Sequence, residues 1–280
     1  MKRTQQLRIG IQGIATSFHH LAALRFFGNK ISIRECFTFQ SLCDDLQEEE
    51  CDFAVMAIEN SIAGSILPNY FLLQQYHFFI IGELYLPIHM HLLVLPGVKV
   101  NQIKTIESHP MAIRQCTEYL HRLTGVSIRE SDDTALSARR IREEKLSDVA
   151  AIANEFTAKK FKLKILDKHI ETHKKNFTRF LVLSKKANTS TESNKASLCF
   201  EVANEVGSLA DALLSFKTNR INLSKIQSIP IIGRPNEYSI HVDVEWSKRK
   251  NYDNALQHVI RQVKNLTILG EYKKATIEFK

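Results

Sequence analysis

A chain of 280 residues with 44% hydrophobic and 24% charged residues has the composition of an ordinary globular protein, long enough for two domains with a core in each. Its formal charge of +8 sits in short, separated clusters (Arg139-Arg140 to Lys145, Lys174-Lys175, Lys248 to Lys250), which read as solvated surface that attracts small anions, so no nucleic-acid partner is expected. The longest apolar runs, such as Phe78 to Ile81, are too short for a membrane helix, and Met1 to Gln6 lacks the apolar run of a signal peptide; no membrane partner and a cytoplasmic location are the expectation.

From the N-terminus, short apolar strands alternate with amphipathic helical patterns. Leu7 to Gln12, Ile31 to Cys36, Phe53 to Ile58, Ile103 to Ile106, Val126 to Ile128 and Val149 to Ala153 read as strands. Phe18 to Phe27, Gln40 to Glu49, Pro68 to Tyr76, Met111 to Leu123, Thr134 to Glu144 and Glu155 to Phe161 carry helical periodicity. Two strand-like runs without a helix between them fill Ile80 to Leu95, a place for the chain to cross between two lobes. The segment Lys185 to Lys195 (KKANTSTESNK) is nearly devoid of apolar residues and reads as a linker. It divides residues 1–184 from residues 196–280. Beyond it come a strand (Ala196 to Val202), a helix (Ser208 to Thr218), strands at Leu223 to Ile229 and Tyr238 to Glu245, a helix (Asn254 to Lys264) and a strand (Thr276 to Phe279), the βαββαβ order of a ferredoxin-like domain. The fold class is therefore α/β, with a larger α/β portion followed by a ferredoxin-like one.

The larger portion repeats one device, a strand ending in hydroxyl or amide residues that open a helix: Gly13 to Ser17, Glu59 to Ser65, Ser108-His109-Pro110 and Asp132-Asp133-Thr134. Any one such loop caps a helix. Their recurrence at strand ends, where open α/β sheets bind ligands, points to a small anion such as a carboxylate. A second focus is Asn176-Phe177-Thr178-Arg179-Phe180, where Arg179 offers a bidentate carboxylate partner and Thr178 a hydroxyl donor. The five cysteines, odd in number and without a C-x-x-C pair, argue against a disulfide framework and a zinc site. His89 and His91 lie two apart with no third ligand evident, and His19-His20 and His169 with His173 read as surface histidines. No nucleotide, metal or covalent-nucleophile motif occurs, so no cofactor and no metal are expected.

The segments Ala57 to Ser65, Ser108 to Ala112 with Gln115-Cys116, Asp133-Thr134-Ala135, Ala150 to Ala153 and Asn176 to Phe180 resemble, in order and spacing, the prephenate dehydratase family. The resemblance implies a two-lobed catalytic domain with an interlobe cleft, similar to periplasmic binding proteins. It also implies a C-terminal ACT domain that binds amino acids at subunit interfaces, its similarity carried by Gly207 to Ala210 and Ile221 to Ile226. By the same resemblance the substrate is prephenate, Thr178 is the catalytic donor with His109 as the alternative proton source, and Arg179 holds the pyruvyl carboxylate. Asn60, Ser61, Ser108, Gln115 and Thr134 would contact substrate and Phe180 would exclude water. Gly207, Leu209, Ala210, Asn222 and Leu223 would bind an effector, L-phenylalanine, in a homodimer or homotetramer. The alternatives are arogenate as substrate, a non-catalytic two-lobed sensor, and a C-terminal domain that only dimerises. Two departures from the family pattern stand out. The usual Gly-Pro-x-Gly-Thr-Phe-Ser loop reads Gly13-Ile14-Ala15-Thr16-Ser17-Phe18-His19 here, and Glu-Ser-Arg-Pro reads Gln227-Ser228-Ile229-Pro230.

Overall fold

The computed structural model describes residues 6–187 and 192–277. Its first elements are β1 (Leu7–Gln12), α1 (Phe18–Phe27), β2 (Ile31–Cys36), α2 (Phe39–Gln47), β3 (Phe53–Asn60), β4 (Gly64–Ser65), α3 (Leu67–Tyr76) and β5 (Phe79–Pro87). Next come β6 (His91–Val94), β7 (Thr105–Ser108), α4 (Pro110–Gln115), α5 (Thr117–Leu120), β8 (Ser127–Glu130), α6 (Thr134–Glu143), β9 (Val149–Ala153), α7 (Glu155–Lys160), β10 (Lys164–Asp167) and β11 (Phe177–Ser184). The last are β12 (Lys195–Glu201), α8 (Ser208–Thr218), β13 (Asn222–Pro230), β14 (Tyr238–Glu245), α9 (Arg249–Val259) and β15 (Lys264–Tyr272).

One sheet runs β2-β1-β3-β11-β5, with β4 on β3, and a second runs β10-β6-β9-β7-β8. All strands of the second sheet lie between β5 and β11 in sequence, so the chain leaves the first sheet after Pro87 and returns to it at Phe177. That is the two-lobed plan, with the crossover where the paired runs of Ile80 to Leu95 suggested it. The chain divides into two compact units, residues 1–65 with 85–180 and residues 66–84 with 181–280, the cut passing within β5 and β11.

In the first unit, β9 is central to its sheet, and each of its residues is buried. Alanines at 150, 151 and 153 keep both faces flat enough for helices to approach, and apolar clusters form on either side around Ile106, Ala112 and Ile152 and around Ala138, Ile141 and Ala151. At the edge, β8 is exposed along its length and carries Ser, Arg and Glu.

The second unit holds the antiparallel sheet β13-β14-β12-β15, whose βαββαβ order is ferredoxin-like. Alternation along β12 sends Ala196, Leu198 and Phe200 into a core with Ala212, Phe216, Tyr252 and Val259 of the two helices. Its other face carries Lys195, Ser197 and Cys199, which are also buried. There Gln74 of α3 donates to Ser239 Oγ at 2.7 Å, and Lys195 pairs with Glu83 of β5 at 3.0 Å. Gly270 of β15 lies so close to the Ile80 backbone that a Cβ there would collide with the carbonyl.

Several expectations shift. The helix expected over Met111 to Leu123 breaks at Cys116 (φ −110°, ψ 18°) into α4 and α5, and β10 has no counterpart in the sequence reading. The last helix begins earlier than expected, at Arg249 and not at Asn254. The final strand is Lys264–Tyr272, whose register against β12 is set by pairs such as Leu198 with Ile268; residues 273–277 are not strand, and 278–280 lie outside the described residues. Residues 188–191 of the expected linker also lie outside them, between the end of β11 and the start of β12. All five cysteines are unpaired and buried. No described helix is long and apolar enough to cross a membrane.

Candidate active site

Thr178 lies near the start of β11, and its oxygen accepts a hydrogen bond from Asn60 Nδ2 at 3.0 Å. Asn60 ends β3, and its own orientation is fixed because Oδ1 accepts the N–H groups of Ile62 and Ala63 at 3.0 and 2.9 Å. The Asn60 amide also donates to Asn176 Oδ1 at 2.7 Å, and Asn176 Nδ2 donates to Gln115 Oε1 at 3.0 Å. A chain Gln115, Asn176, Asn60, Thr178 therefore links α4 of the second lobe to the first sheet, with Asn60 donating both towards Asn176 and towards Thr178. Since Asn60 is the donor to Thr178, the threonine keeps its own proton for another acceptor. Ser61 closes the turn from the other side, its Oγ accepting the Phe177 N–H at 2.9 Å and its N–H donating to Phe177 O at 2.8 Å.

The lobes meet at the remaining strand-end loops. Gly13, at φ 92°, lies against Asp133, so that a Cβ there would fall 2.7 Å from Asp133 Oδ2. Asp133 caps α6 through Oδ1, which accepts from Ala135 and Leu136; burial pushes its carboxyl up, opposed by these N–H groups. Thr16 has φ 84°, a left-handed backbone at the position of the second family glycine. It is held there by bonds to its carbonyl from Asn154 Nδ2 and Thr157 Oγ1 at 2.9 and 3.0 Å and by its own N–H donating to His20 Nδ1 at 2.9 Å. The altered loop thus places a strained threonine in a backbone region that favours glycine.

Thr134 opens α6 and is buried, and His109 caps α4, its Nδ1 accepting the Met111 N–H at 3.2 Å. Burial lowers the His109 imidazole, with the carboxylates of Asp133, Asp132 and Glu130 opposing, so near neutral pH it is an Nε2–H donor without a positive charge. Ser108 is wholly buried and donates to Ile152 O at 2.7 Å, which assigns it to holding β7 beside β9 and not to open cleft surface. Strand alternation turns Arg179 to the face opposite Thr178, and it is 3% exposed. Phe180 shares the Thr178 face, is buried, and meets the His19 ring edge-on at 5.0 Å.

His19 itself lies among Phe39, Phe180 and the Ala57 N–H, which donates to Nε2 at 3.3 Å; burial pushes its imidazole down to about 3. The folded state therefore holds it neutral while the unfolded chain protonates near pH 6.5. Its contribution is present above pH 6.5 and is lost as pH falls towards 3, at up to about 1.4 kcal/mol per pH unit. Thermal melts of His19→Gln from pH 7 to 4 are expected to fall less steeply with acid than those of the parent; parallel curves would refute the assignment.

Asn176, Asp133 and Gly13 carry no individual role legible in the sequence, although all three stand within its motifs. The signal available was Asn176 directly before Phe177-Thr178 and Asp133 before Thr134. For metal ligation, among the described residues, His89, His169 and Glu171 converge at the crossovers.

A two-lobed α/β cleft with polar residues at its strand ends and a buried amide network behind a hydroxyl defines a small-molecule enzyme, here with an appended ferredoxin-like module. Residues 9–188 match the family model for prephenate dehydratase. The bifunctional chorismate mutase/prephenate dehydratase of Enterobacter agglomerans is 32% identical over 96% of this chain and 71% of its own length. Arogenate dehydratase/prephenate dehydratase 2 of Arabidopsis thaliana is 33% identical over 95% of this chain and 73% of its own. Among solved structures, the quorum-quenching acylase GqqA superposes with a TM-score of 0.86 at 27% identity, covering 96% of this chain and 98% of that one. The prephenate dehydratase of Arthrobacter aurescens in complex with L-Phe also gives 0.86, at 24% identity over 96% of this chain and 90% of that one. The chain belongs to the prephenate dehydratase family, and its N-terminal portion is a prephenate dehydratase domain.

Proposed function

We propose that the cleft converts prephenate to phenylpyruvate with Thr178 as the donor to the departing hydroxyl, a reading supported above all by the Gln115-Asn176-Asn60-Thr178 chain. The bond from the ring to its carboxylate breaks and releases CO2, the electron pair moves through the ring, and the carbon–oxygen bond opposite breaks. The leaving hydroxide takes a proton and departs as water. Aromatisation supplies the driving force, so the protein's task is to stabilise charge on the leaving oxygen and to leave the ring carboxylate loosely held. Thr178 accepts from Asn60, which leaves its own proton for another acceptor. His109, neutral and with Nε2–H available, is the second donor at the same task. Thr134 at the N-terminus of the 10-residue α6 favours the pyruvyl carboxylate, while Arg179 adds positive potential from behind the strand. Phe180 keeps water from the Thr178 face. Arogenate differs from prephenate only in the side chain beyond the ring, so substrate choice rests on the groups near that carboxylate. Side-by-side turnover of the two compounds tests it, with prephenate the faster substrate expected.

The C-terminal module is proposed to be an ACT domain that binds L-phenylalanine between two copies of the chain. Gly207 and Leu209 lie at the start of α8, with Ala210 exposed, whereas Asn222 and Leu223 lie beyond its end. Eleven helical residues separate these groups by about 16 Å, too far for one amino acid to touch both in one copy. A second copy brings the start of one helix to the strand of its neighbour. Exposed Val206, Leu214 and Ile226 on the same module supply apolar surface for such a pairing, which makes a homodimer or a homotetramer the proposed assembly. L-Phe is expected to lower activity and raise the melting temperature; no change in either would leave the module as a dimerisation domain alone.

A further inference from the structure

His89 stands in the segment that carries the chain out of the first sheet, between β5 and β6. His169 and Glu171 stand in the segment that brings it back, between β10 and β11. Across 80 or more residues of sequence they converge: His89 Nδ1 lies 3.2 Å from Glu171 Oε1, His169 Nδ1 lies 3.3 Å from His89 Nδ1, and His169 Nδ1 lies 3.5 Å from Glu171 Oε1. The three atoms form a nearly equilateral triangle. Ligands on a tetrahedral ion at about 2.05 Å stand about 3.3 Å apart, whereas neighbouring ligands on an octahedral ion at about 2.1 Å stand about 3.0 Å apart. The observed edges match the face of a tetrahedron.

The groups around the triangle orient it. Glu171 Oε2 accepts the Met90 N–H at 2.9 Å, which leaves Oε1 for the two histidines, and the Glu171 side chain is only 1% exposed. His91, which the sequence paired with His89, is not a member; its Nδ1 accepts the His169 backbone N–H at 3.1 Å and so fixes the backbone that carries the His169 ring. The two outer histidines are 42% and 51% exposed, so the open side of the triangle faces solvent. Lys174 is the opposing charge nearby. Its ammonium is tied to the carbonyls of His169 and Glu171, which lowers the affinity for a cation without occupying a ligand atom.

We propose that His89, His169 and Glu171 form a Zn2+ site with water as fourth ligand, tying together the two segments that cross between the sheets. Two imidazoles, one carboxylate and a water are the donor set and geometry that suit this ion. The site is independent of the dehydratase reading and needs no substrate.

The test uses the full chain, with any affinity tag removed, after chelation and dialysis. Calorimetric titration with Zn2+ is expected to show one ion per chain, with a matching rise in melting temperature. Co2+ in its place should give the intense visible bands of four-coordinate cobalt. His89→Asn and His169→Asn, at partly exposed positions, are each expected to weaken Zn2+ binding about 100-fold or more, judged against the 10- to 100-fold typical of losing a mere outer contact. Their metal-free circular dichroism should match the parent. His121→Asn, at an exposed histidine on the turn after α5, should bind as the parent does. Absence of saturable Zn2+ binding, unchanged affinity in both triangle variants, or the weak bands of six-coordinate cobalt would each overturn the proposal.

Discussion

Thr178→Ala is expected to lower kcat/KM for prephenate by about 100- to 1000-fold while the protein melts as before, the loss typical when one donor to a developing oxyanion is removed. The Thr178 hydroxyl accepts from Asn60 Nδ2, which leaves its own proton for another acceptor. Removing it leaves Asn60 still bonded to Asn176 Oδ1 and Phe177 O, at 2.7 and 3.2 Å, and the turn at Ile62 and Ala63 still capped. The scaffold should therefore persist with the donor gone. Thr178→Ser keeps the hydroxyl and should retain most activity. If the alanine variant turned over like the parent, the donor would have to be His109, and a pH profile of His109→Asn would then lose an ionisation.

The second large effect concerns stability. Lys195→Met is expected to destabilise the protein by about 3–5 kcal/mol, measured by denaturant unfolding, because it strands a buried carboxylate. Lys195 is 2% exposed and Glu83 4%, and their pair is made at 3.0 and 3.1 Å, with Glu245 at 3.5 Å from the same ammonium. Glu83 Oε1 also accepts the Ala275 N–H at 3.1 Å. Adding Glu83→Gln to Lys195→Met removes the uncompensated charge yet keeps an acceptor for Ala275, so the double variant should recover much of the loss. A double variant as unstable as the single one would show that packing, and not charge, is what Lys195 supplies. Both residues lie in the second compact unit, so the effect reads the attachment of α3 and β5 to the ferredoxin-like sheet.

How far the sequence alone reached depends on the range of the interaction that decides each feature. The ferredoxin-like order was legible because alternation in β12 and β14 and periodicity in α8 are local patterns. The break at Cys116 was not, because nothing in Met111 to Leu123 interrupts the helical pattern; there Thr172, from the returning crossover, donates its N–H to the Gln115 carbonyl. The burial of the polar face of β12 is not a local property, since Glu83, which pairs with Lys195, and Gln74, which reaches the same face, lie more than 100 residues upstream. The same holds at the site. Thr178, Asn60 and Gln115 were each found by motif, but the chain that links them passes through Asn176, 116 residues from Asn60. Arg179 shows the opposite limit: its place after Thr178 was plain, and the period of a strand already turns adjacent residues to opposite faces. His89 lacked a third ligand for the same reason of range, since Glu171 is 82 residues away.

The most direct measurement is the appearance of phenylpyruvate when the purified chain is mixed with prephenate near neutral pH, followed by the absorbance of the enol form in alkali. Rapid, protein-dependent formation that is lost in Thr178→Ala is the result expected. Tight binding of prephenate with no phenylpyruvate formed would contradict a catalytic cleft and make the chain a two-lobed sensor.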